Sequence, residues 1–263
     1  MTSRRLGNWL GLAYALTVFA FIFLPVAVLV LYSFQGGRLP VPPFDGPSLK
    51  WYGQIFADRK LMSALANSLG VAAISSAVAC VLGFLAALGL ARQRIPGAAL
   101  MRSVIIAPLT VSYLIIGLGL LASLNASGFR PSLLSVGIGH AVINTPLCFA
   151  IIYSQTGAHQ INFERAARDL GATELRVLWH VSAPVLAPAI LASYFLSVTF
   201  SWDEFIIAFL LSRFEVTLPV EIWSLLRSGL NPKTNAIGSI VFLSSVLLVF
   251  ALELLVFRKR GNP

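Results

Sequence analysis

The chain has 263 residues, of which 57% are hydrophobic and only 11% are charged. A soluble globular domain carries about 25% charged residues, so this composition excludes an ordinary soluble domain and indicates a membrane protein. The net charge of +9 comes from basic residues dispersed between long uncharged runs. This argues against a nucleic-acid partner, because nucleic-acid binding requires a clustered basic face.

Six largely uncharged stretches are long enough to cross a bilayer, which takes roughly 20 apolar residues in a helix. The sequence therefore predicts an all-α membrane protein with six transmembrane helices, in a single transmembrane domain over residues 1–263. The predicted spans are approximately 9–32, 67–91, 103–127, 132–156, 184–211 and 236–257. The fifth stretch has 28 residues, and we expect it to be a span followed by a bent or re-entrant piece.

The basic residues favour placing both termini in the cytoplasm. Six spans put both termini on one side, and the positive-inside rule selects that side. In this orientation 11 of the 19 basic residues are cytoplasmic: Arg4, Arg5, Arg92, Arg94, Arg102, Arg165, Arg168, Arg176, Arg258, Lys259 and Arg260. The sequence thus predicts an N-in, C-in protein of a plasma membrane.

The cytoplasmic segment 157–183, hereafter the coupling segment, is the longest polar segment on the inner side. Asn162 suits a helix N-cap, Gly171 suits a helix C-cap, and Thr173 can cap a second helix that carries Glu174. The pattern predicts two short helices joined at a glycine. Small and apolar side chains surround the joint and are typical of a surface that docks into a groove: Ala166, Ala167, Leu170, Ala172, Leu175, Leu178 and Trp179.

The coupling segment resembles the EAA loop, the signature of ABC importer permeases. The match consists of Ala166-Ala167, Leu170-Gly171-Ala172 and Pro184, with Arg165 at the family's glutamate position and Glu164 one residue earlier. In that family the loop forms a coupling helix that sits in a cleft of a cytoplasmic ATPase subunit. The resemblance therefore implies that the ATPase-coupling residues are Glu164, Arg165, Ala166, Ala167, Leu170, Gly171 and Ala172.

Further motifs extend the resemblance to the type I permeases of spermidine and putrescine import systems. They are Lys50-Trp51-Tyr52, Ala64 with Asn67-Ser68-Leu69, His140 with Pro146, and Leu218-Pro219, Ile222-Trp223-Ser224, Gly229, Pro232 and Asn235-Ala236. The resemblance implies a six-helix permease of the bacterial inner membrane that forms half of a translocation pathway. The implied partners are a second, related permease chain, two cytoplasmic ATPase subunits and an extracytoplasmic substrate-binding protein, besides membrane lipid. We expect the runs 39–47 and 212–219 to be structured by the binding protein or the partner permease.

The sequence carries no catalytic motif of its own. It has no G-x-x-x-x-G-K-[ST] phosphate loop, no H-E-x-x-H, no G-x-S-x-G and no glycine-rich dinucleotide turn. We therefore expect no catalytic or metal-binding residue and no cofactor in this chain. ATP and Mg²⁺ would be bound by the partner ATPase subunits.

Asp203 and Glu204 interrupt the uncharged run 184–211 and are candidates for contacting a cationic substrate. Acidic residues at membrane depth are costly unless they line water or have a partner. Trp202 could add a cation–π contact, and Tyr113 is a further pathway candidate. The alternative is that the two carboxylates cap a helix or pair with Arg213.

Other interpretations remain open from the sequence alone. His140, with Asn144 one turn later, could face a polar channel or bind a metal, but a lone histidine is more often a hydrogen-bonding residue between packed helices. The same fold could import another small solute, such as a phosphonate, thiamine or an amino-acid-like compound. A gradient-driven secondary transporter would predict an inverted repeat, and none is evident. An intramembrane enzyme would require a larger polar cluster.

Overall fold

The computed structural model describes residues 2–92, 96–229 and 231–260, without the side chains of 2–6, 158–159, 248–249 and 251–260. Within these ranges the chain forms α-helices and no β-strand. The helices are α1 (Thr2–Ser33), α2 (Lys50–Ala57), α3 (Arg59–Arg92), α4 (Ala98–Ile106), α5 (Tyr113–Ala126), α6 (Leu133–Gln155), α7 (Ala158–Asp169), α8 (Glu174–Val177), α9 (Ala183–Trp202), α10 (Ile206–Leu211), α11 (Leu218–Arg227) and α12 (Pro232–Arg260). The prediction of an all-α protein is confirmed.

Four of the predicted spans coincide with long apolar helices, and a fifth coincides with a bent pair of helices. Four helices are long and apolar enough to cross a membrane: Gly7–Ser33, Arg59–Arg92, Leu133–Gln155 and Glu174–Trp202. A fifth span results if the pair Ala98–Thr110 and Tyr113–Ala126 is counted as one. The sixth predicted span, 236–257, falls in α12, where the side chains of 248–249 and 251–260 lie outside the described residues. Arg94, one of the residues predicted to be cytoplasmic, also lies outside them. The count of six and the N-in, C-in orientation stay predictions.

The predicted span 103–127 is sharply bent, by 105°. Pro108 begins a 3₁₀ turn, Ala107–Thr110, because its ring lacks the N–H that would continue the helix. Val111 is extended, and the Ser112 hydroxyl accepts a hydrogen bond from the backbone N–H of Leu114 to start α5. The predicted span 103–127 is therefore broken between Thr110 and Tyr113.

The described residues fall into two compact units, one of residues up to 62 with 222–247 and one of 63–221 with the residues from 248 on. That the chain is one permease domain stays a prediction.

In the first unit the Lys233 ammonium lies 2.6 Å from a carboxylate oxygen of Asp58. The hydrogen bond from Lys233 holds the pKa of Asp58 below its ordinary value. The other Asp58 oxygen accepts backbone N–H groups from Lys60 and Leu61 at the start of α3.

In the first unit, the loop after α1 is organised by the buried Gln35. Its amide nitrogen donates to the carbonyls of Leu39, Val41 and Pro43, and its Oε1 accepts the backbone N–H of Asp45. The indole N–H of Trp51 donates to the Gln35 carbonyl at 2.7 Å. The chain's own Gln35 thus holds part of the backbone of run 39–47, and a contribution of partners to this run stays a prediction.

The second unit has a core built from α3, α6 and α9. Small and apolar side chains fill it: Ala79, Cys80, Ala87, Leu88, Cys148, Phe149, Ile152, Leu186 and Ala189. Helices α3 and α6 approach closely at Gly83, since a Cβ at this position would lie 2.7 Å from the backbone nitrogen of Phe149 and 2.8 Å from the Cβ of Cys148. Such small residues let helix backbones approach closely where no hydrophobic effect drives association.

Candidate functional site

The coupling segment folds into two helices joined at Gly171, as the sequence predicts. Gly171 has φ +86°, a left-handed conformation that only glycine adopts without strain. Its N–H donates to the carbonyl of Arg168, and the N–H of Ala172 donates to that of Ala167, the bond pattern that ends many helices. Thr173 occupies the N-cap position of α8, although its side chain makes no capping bond.

The predicted helix start at Asn162 is wrong. Helix α7 begins at Ala158, after Gly157 at the N-cap position, so Asn162 lies inside the helix. The additional turn buries Gln160 and places its side-chain amide 2.7 Å from Glu164 Oε1. This bond joins two side chains four residues apart on one helix face and stabilises the earlier start.

One side of the joint is exposed. Leu170 is 89% exposed, and Leu175 and Trp179 are about two-thirds exposed, at 66% and 65%. Arg165 and Ala166 are also exposed, while Ala167 and Ala172 are partly buried. The apolar side chains predicted to dock into a groove are therefore available for a partner.

Glu164 behaves differently from these neighbours, because it is fully buried. Its Oε2 accepts the Arg92 Nε hydrogen at 2.7 Å and lies 3.5 Å from the Arg168 guanidinium. Its Oε1 accepts the Ser182 hydroxyl at 2.6 Å and the Gln160 amide. Burial raises the pKa of Glu164, but the hydrogen bonds from Arg92, Ser182 and Gln160 outweigh it and hold the pKa below the ordinary 4.5.

The joint is also bridged by a surface ion pair. Arg168, just before the glycine, donates to both carboxylate oxygens of Glu174, at 2.6 Å and 3.1 Å. Arg92 also lies 3.7 Å from the Glu174 carboxylate. These arginines therefore link the exposed joint to the buried Glu164.

Three of the predicted pathway residues, Trp202, Asp203 and Glu204, lie where α9 ends, and the structure separates the two carboxylates. Helix α9 ends at Trp202, and α10 starts at Ile206, so the fifth stretch is broken as expected. Asp203 is exposed, whereas Glu204 is 6% exposed. The Glu204 carboxylate accepts the backbone N–H groups of Ile207 and Ala208 at 2.9 to 3.1 Å, which are free donors of the first turn of α10.

The two aromatic candidates are less accessible than Asp203. Trp202 is 8% exposed, and its indole N–H has no hydrogen-bond partner among the described residues. Tyr113 is partly buried at the start of α5, where it packs against the apolar cluster that contains Ile207 and Leu211. Roles of Trp202, Asp203, Glu204 and Tyr113 in a substrate pathway stay predictions.

The matching family model is that of the binding-protein-dependent transport system inner membrane component, which covers residues 79–261. The chain belongs to this family. It is also 35% identical over 231 residues to the putrescine transport system permease protein PotI of Escherichia coli strain K12, covering 85% of this chain and 82% of that protein. The spermidine/putrescine transport system permease protein PotC of the same strain is 26% identical over 260 residues, with 98% of both chains covered.

Solved structures of ABC transporters share the fold of this inner membrane component. A bacterial ABC transporter involved in the import of the acidic polysaccharide alginate matches with a TM-score of 0.71 and 19% identity, over 100% of this chain and 99% of that one. The alginate transporter in complex with a pentasaccharide-bound periplasmic protein matches with a TM-score of 0.74 and 15% identity, over 98% and 97%. The chain is thus an inner membrane transport component with the ABC importer permease fold.

Sequence reasoning missed the polar contacts inside the second unit of this permease. His140, Asn144 and Cys148 recur every fourth residue of α6, and Ser193, Ser197 and Ser201 do so in α9. We call these six residues, with Ser75, Ser76 and Cys80 of α3, the polar ladder; all nine are buried. His140 is thus a hydrogen-bonding residue between helices, and the four-residue spacing was the signal that could have identified its partners.

Proposed function

We propose that this chain is the permease subunit of an ATP-driven importer and forms half of a translocation pathway for polyamines such as putrescine and spermidine. The observation that carries the proposal is the 35% identity to the putrescine permease PotI over most of both chains. The spermidine/putrescine permease PotC, matched over 98% of both chains, supports the same substrate class.

The coupling segment supports a cytoplasmic partner. Leu170, Leu175 and Trp179 are large apolar side chains exposed beside one joint, and such patches mark interaction surfaces. In this proposal two ATPase subunits bind ATP and Mg²⁺ and dock on this segment. A related permease chain supplies the other half of the pathway, and an extracytoplasmic binding protein delivers the substrate.

The cationic substrate fits the exposed carboxylate of Asp203. An acidic side chain at the break of a membrane helix is stabilised by water or by a counter-ion, and a protonated amine supplies that counter-ion. The Glu204 oxygens already accept hydrogen bonds from α10, so Asp203 is the member of the pair that is free to bind substrate. A cation–π contact with Trp202 requires the end of α9 to move, because the ring is buried here.

In the proposed cycle, closure of the ATPase pair moves the coupling segments towards each other and shifts the permease helices between inward-facing and outward-facing arrangements. The ATPase can drive this shift only if it contacts the two arrangements with different affinity. No step requires a catalytic group in this chain.

The test is purification from the native membrane in a mild detergent, followed by uptake assays in proteoliposomes. We expect a P-loop ATPase and a second permease chain in comparable amounts, and ATP-dependent uptake of putrescine or spermidine. Saturable ATP-dependent uptake of a phosphonate, thiamine or an amino acid, without polyamine uptake, would overturn the substrate class. Uptake driven by an ion gradient without ATP would overturn the importer mechanism.

A further inference from the structure

We infer that Glu164 is a positioning residue that connects the coupling segment to the end of α3 and the start of α9. The inference rests on the proposed function, since it assigns the residue through which movement of the coupling segment reaches the membrane helices. Neither the family match nor the names of the relatives assign a role to this side chain.

Burial separates Glu164 from the surface that a partner can touch. The carboxylate is 0% exposed, while Leu170 and Trp179 of the same segment are largely exposed. Different residues therefore bind the partner and transmit its movement. The exposed apolar side chains contact the partner, and the contacts of Glu164 are with its own chain.

The contacts of Glu164 reach three separate helical elements. Gln160 lies in α7 itself, Arg92 is the last residue of α3, and Ser182 is the last residue before α9. Arg92 also donates to the Ser182 hydroxyl at 2.8 Å, so Arg92, Ser182 and Glu164 form a closed triangle of hydrogen bonds. A displacement of α7 is thereby transmitted to both membrane helices at once.

The coupling segment is joined to α9 by the continuing chain as well as by hydrogen bonds, whereas it is held to α3 by side-chain contacts. The chain runs from α7 through α8 and a π-helical turn, Leu178–Ser182, directly into α9. The end of α3 is held against the coupling segment by Arg92, through Glu164 at 2.7 Å and Glu174 at 3.7 Å. Since an exposed ion pair such as the one with Glu174 contributes little, the buried bond to Glu164 carries the connection to α3.

The experiment compares Glu164→Gln, Arg92→Gln and their double variant in the complete complex with its ATPase, reconstituted in proteoliposomes. The readout is the amount of polyamine taken up per ATP hydrolysed, in complexes shown to be assembled. We expect each single variant to lower this ratio roughly tenfold, the factor for loss of a hydrogen bond to a charged group. The double variant should lose no more than either single one, because both remove the same contact.

Glu174→Gln is the matched control, since it makes the same substitution at an exposed carboxylate that also contacts Arg92 and Arg168. It should leave the ratio within about twofold of the wild-type value, in line with the small energy of exposed ion pairs. A normal ratio in Glu164→Gln, or an equal loss in Glu174→Gln, would overturn the inference.

Ser182→Ala keeps the test decisive if Glu164→Gln does not assemble. It removes one hydrogen bond to the carboxylate and leaves the ion pair with Arg92, so a loss of roughly threefold is expected; an unchanged ratio overturns the inference. Wild-type complex without polyamine-stimulated ATP hydrolysis would instead contradict the proposed function. Wild-type activity together with normal variants removes only the role of Glu164.

Discussion

His140 of α6 and Ser201 of α9 are joined inside the second unit by a hydrogen bond of 2.6 Å between Nδ1 and Oγ. Ser75 of α3 lies 3.3 Å from the same hydroxyl. One turn further along, Ser197 donates to the Ser76 hydroxyl at 2.9 Å. The polar ladder therefore ties α9 to both neighbouring helices and fixes the position of the end that carries Asp203.

Asp203→Asn and Glu204→Gln should separate substrate binding from helix capping. Asp203→Asn removes an exposed charge, so we expect weaker polyamine uptake, by about tenfold or more in apparent affinity, with unchanged thermal stability. Glu204→Gln weakens the cap of α10 and should lower the free energy of unfolding by about 1–2 kcal/mol. Uptake titrations and thermal unfolding in detergent measure both effects. Equal stability loss in the two variants would contradict the distinction.

Gly83→Ala should destabilise the second unit because the added methyl group has no space. Its Cβ would lie 2.7 Å from the Phe149 backbone nitrogen. Because that nitrogen belongs to the backbone of α6, the clash can be relieved only if α6 moves. We expect a loss of about 1–3 kcal/mol, typical of overpacking. Gly89→Ala in the same helix is the control, since its Cβ meets nothing within 4 Å. The thermal midpoints of the two purified variants should differ, and equal midpoints would contradict the close approach.

The sequence predicts features that depend on local patterns. Long apolar runs determine the positions of five spans, and Gly171 determines the joint, because both follow from composition or from one backbone conformation. The helix start at 158 is not evident from the sequence because it depends on the burial of Glu164, which tertiary contacts with Arg92 and Ser182 determine. Pro108 favours a bend because it lacks a backbone N–H, but the bend angle also depends on the extended Val111.

The roles of adjacent acidic residues could not be separated from the sequence. Asp203 and Glu204 are chemically alike, and only the turn after α9 exposes one and directs the other to the N–H groups of α10. Glu164 is one of the ATPase-coupling residues that the resemblance implies, and the sequence does not distinguish it from its exposed neighbours. Its burial depends on Arg92, which is 72 residues away in the chain, and no local pattern indicates that pairing.

Asn67→Ala and Ser68→Ala should release the loop 212–217. The Asn67 amide donates to the Val216 carbonyl at 3.0 Å, and the Ser68 hydroxyl accepts the backbone N–H of Leu218 at 2.7 Å. The chain itself therefore contributes two bonds that hold this loop, and a contribution of partners to it stays a prediction. Trypsin should cleave after the exposed Arg213 several times faster in the double variant. Ser63→Ala, at an exposed position of the same helix, should be cleaved at the wild-type rate, and unchanged cleavage in the double variant would show that these bonds do not hold the loop.

The stability contributed by Glu164 should depend on pH in the acidic range only. Its folded-state pKa lies below the ordinary value of 4.5, so the stabilisation is complete above about pH 4.5 and is lost as the pH falls through the lowered folded-state pKa. Thermal unfolding of wild-type protein and Glu164→Gln, from pH 8 to pH 3, measures this. The difference in midpoint should be constant from pH 8 to pH 5 and then shrink. A difference that stays unchanged from pH 5 to pH 3 would contradict a charged, hydrogen-bonded Glu164.

Substitutions of Gly171 should uncouple ATP hydrolysis from transport in proportion to the backbone strain that they introduce. Alanine at φ +86° costs about 1–2 kcal/mol, so Gly171→Ala should retain part of the transport per ATP. Proline fixes φ near −65° and removes the N–H that donates to Arg168, so Gly171→Pro should abolish coupling while the complex still hydrolyses ATP. Gly157→Ala, at the other end of α7 with φ −141°, is the control and should transport normally. Normal transport by Gly171→Pro would show that the helix joint does not transmit the movement of the ATPase.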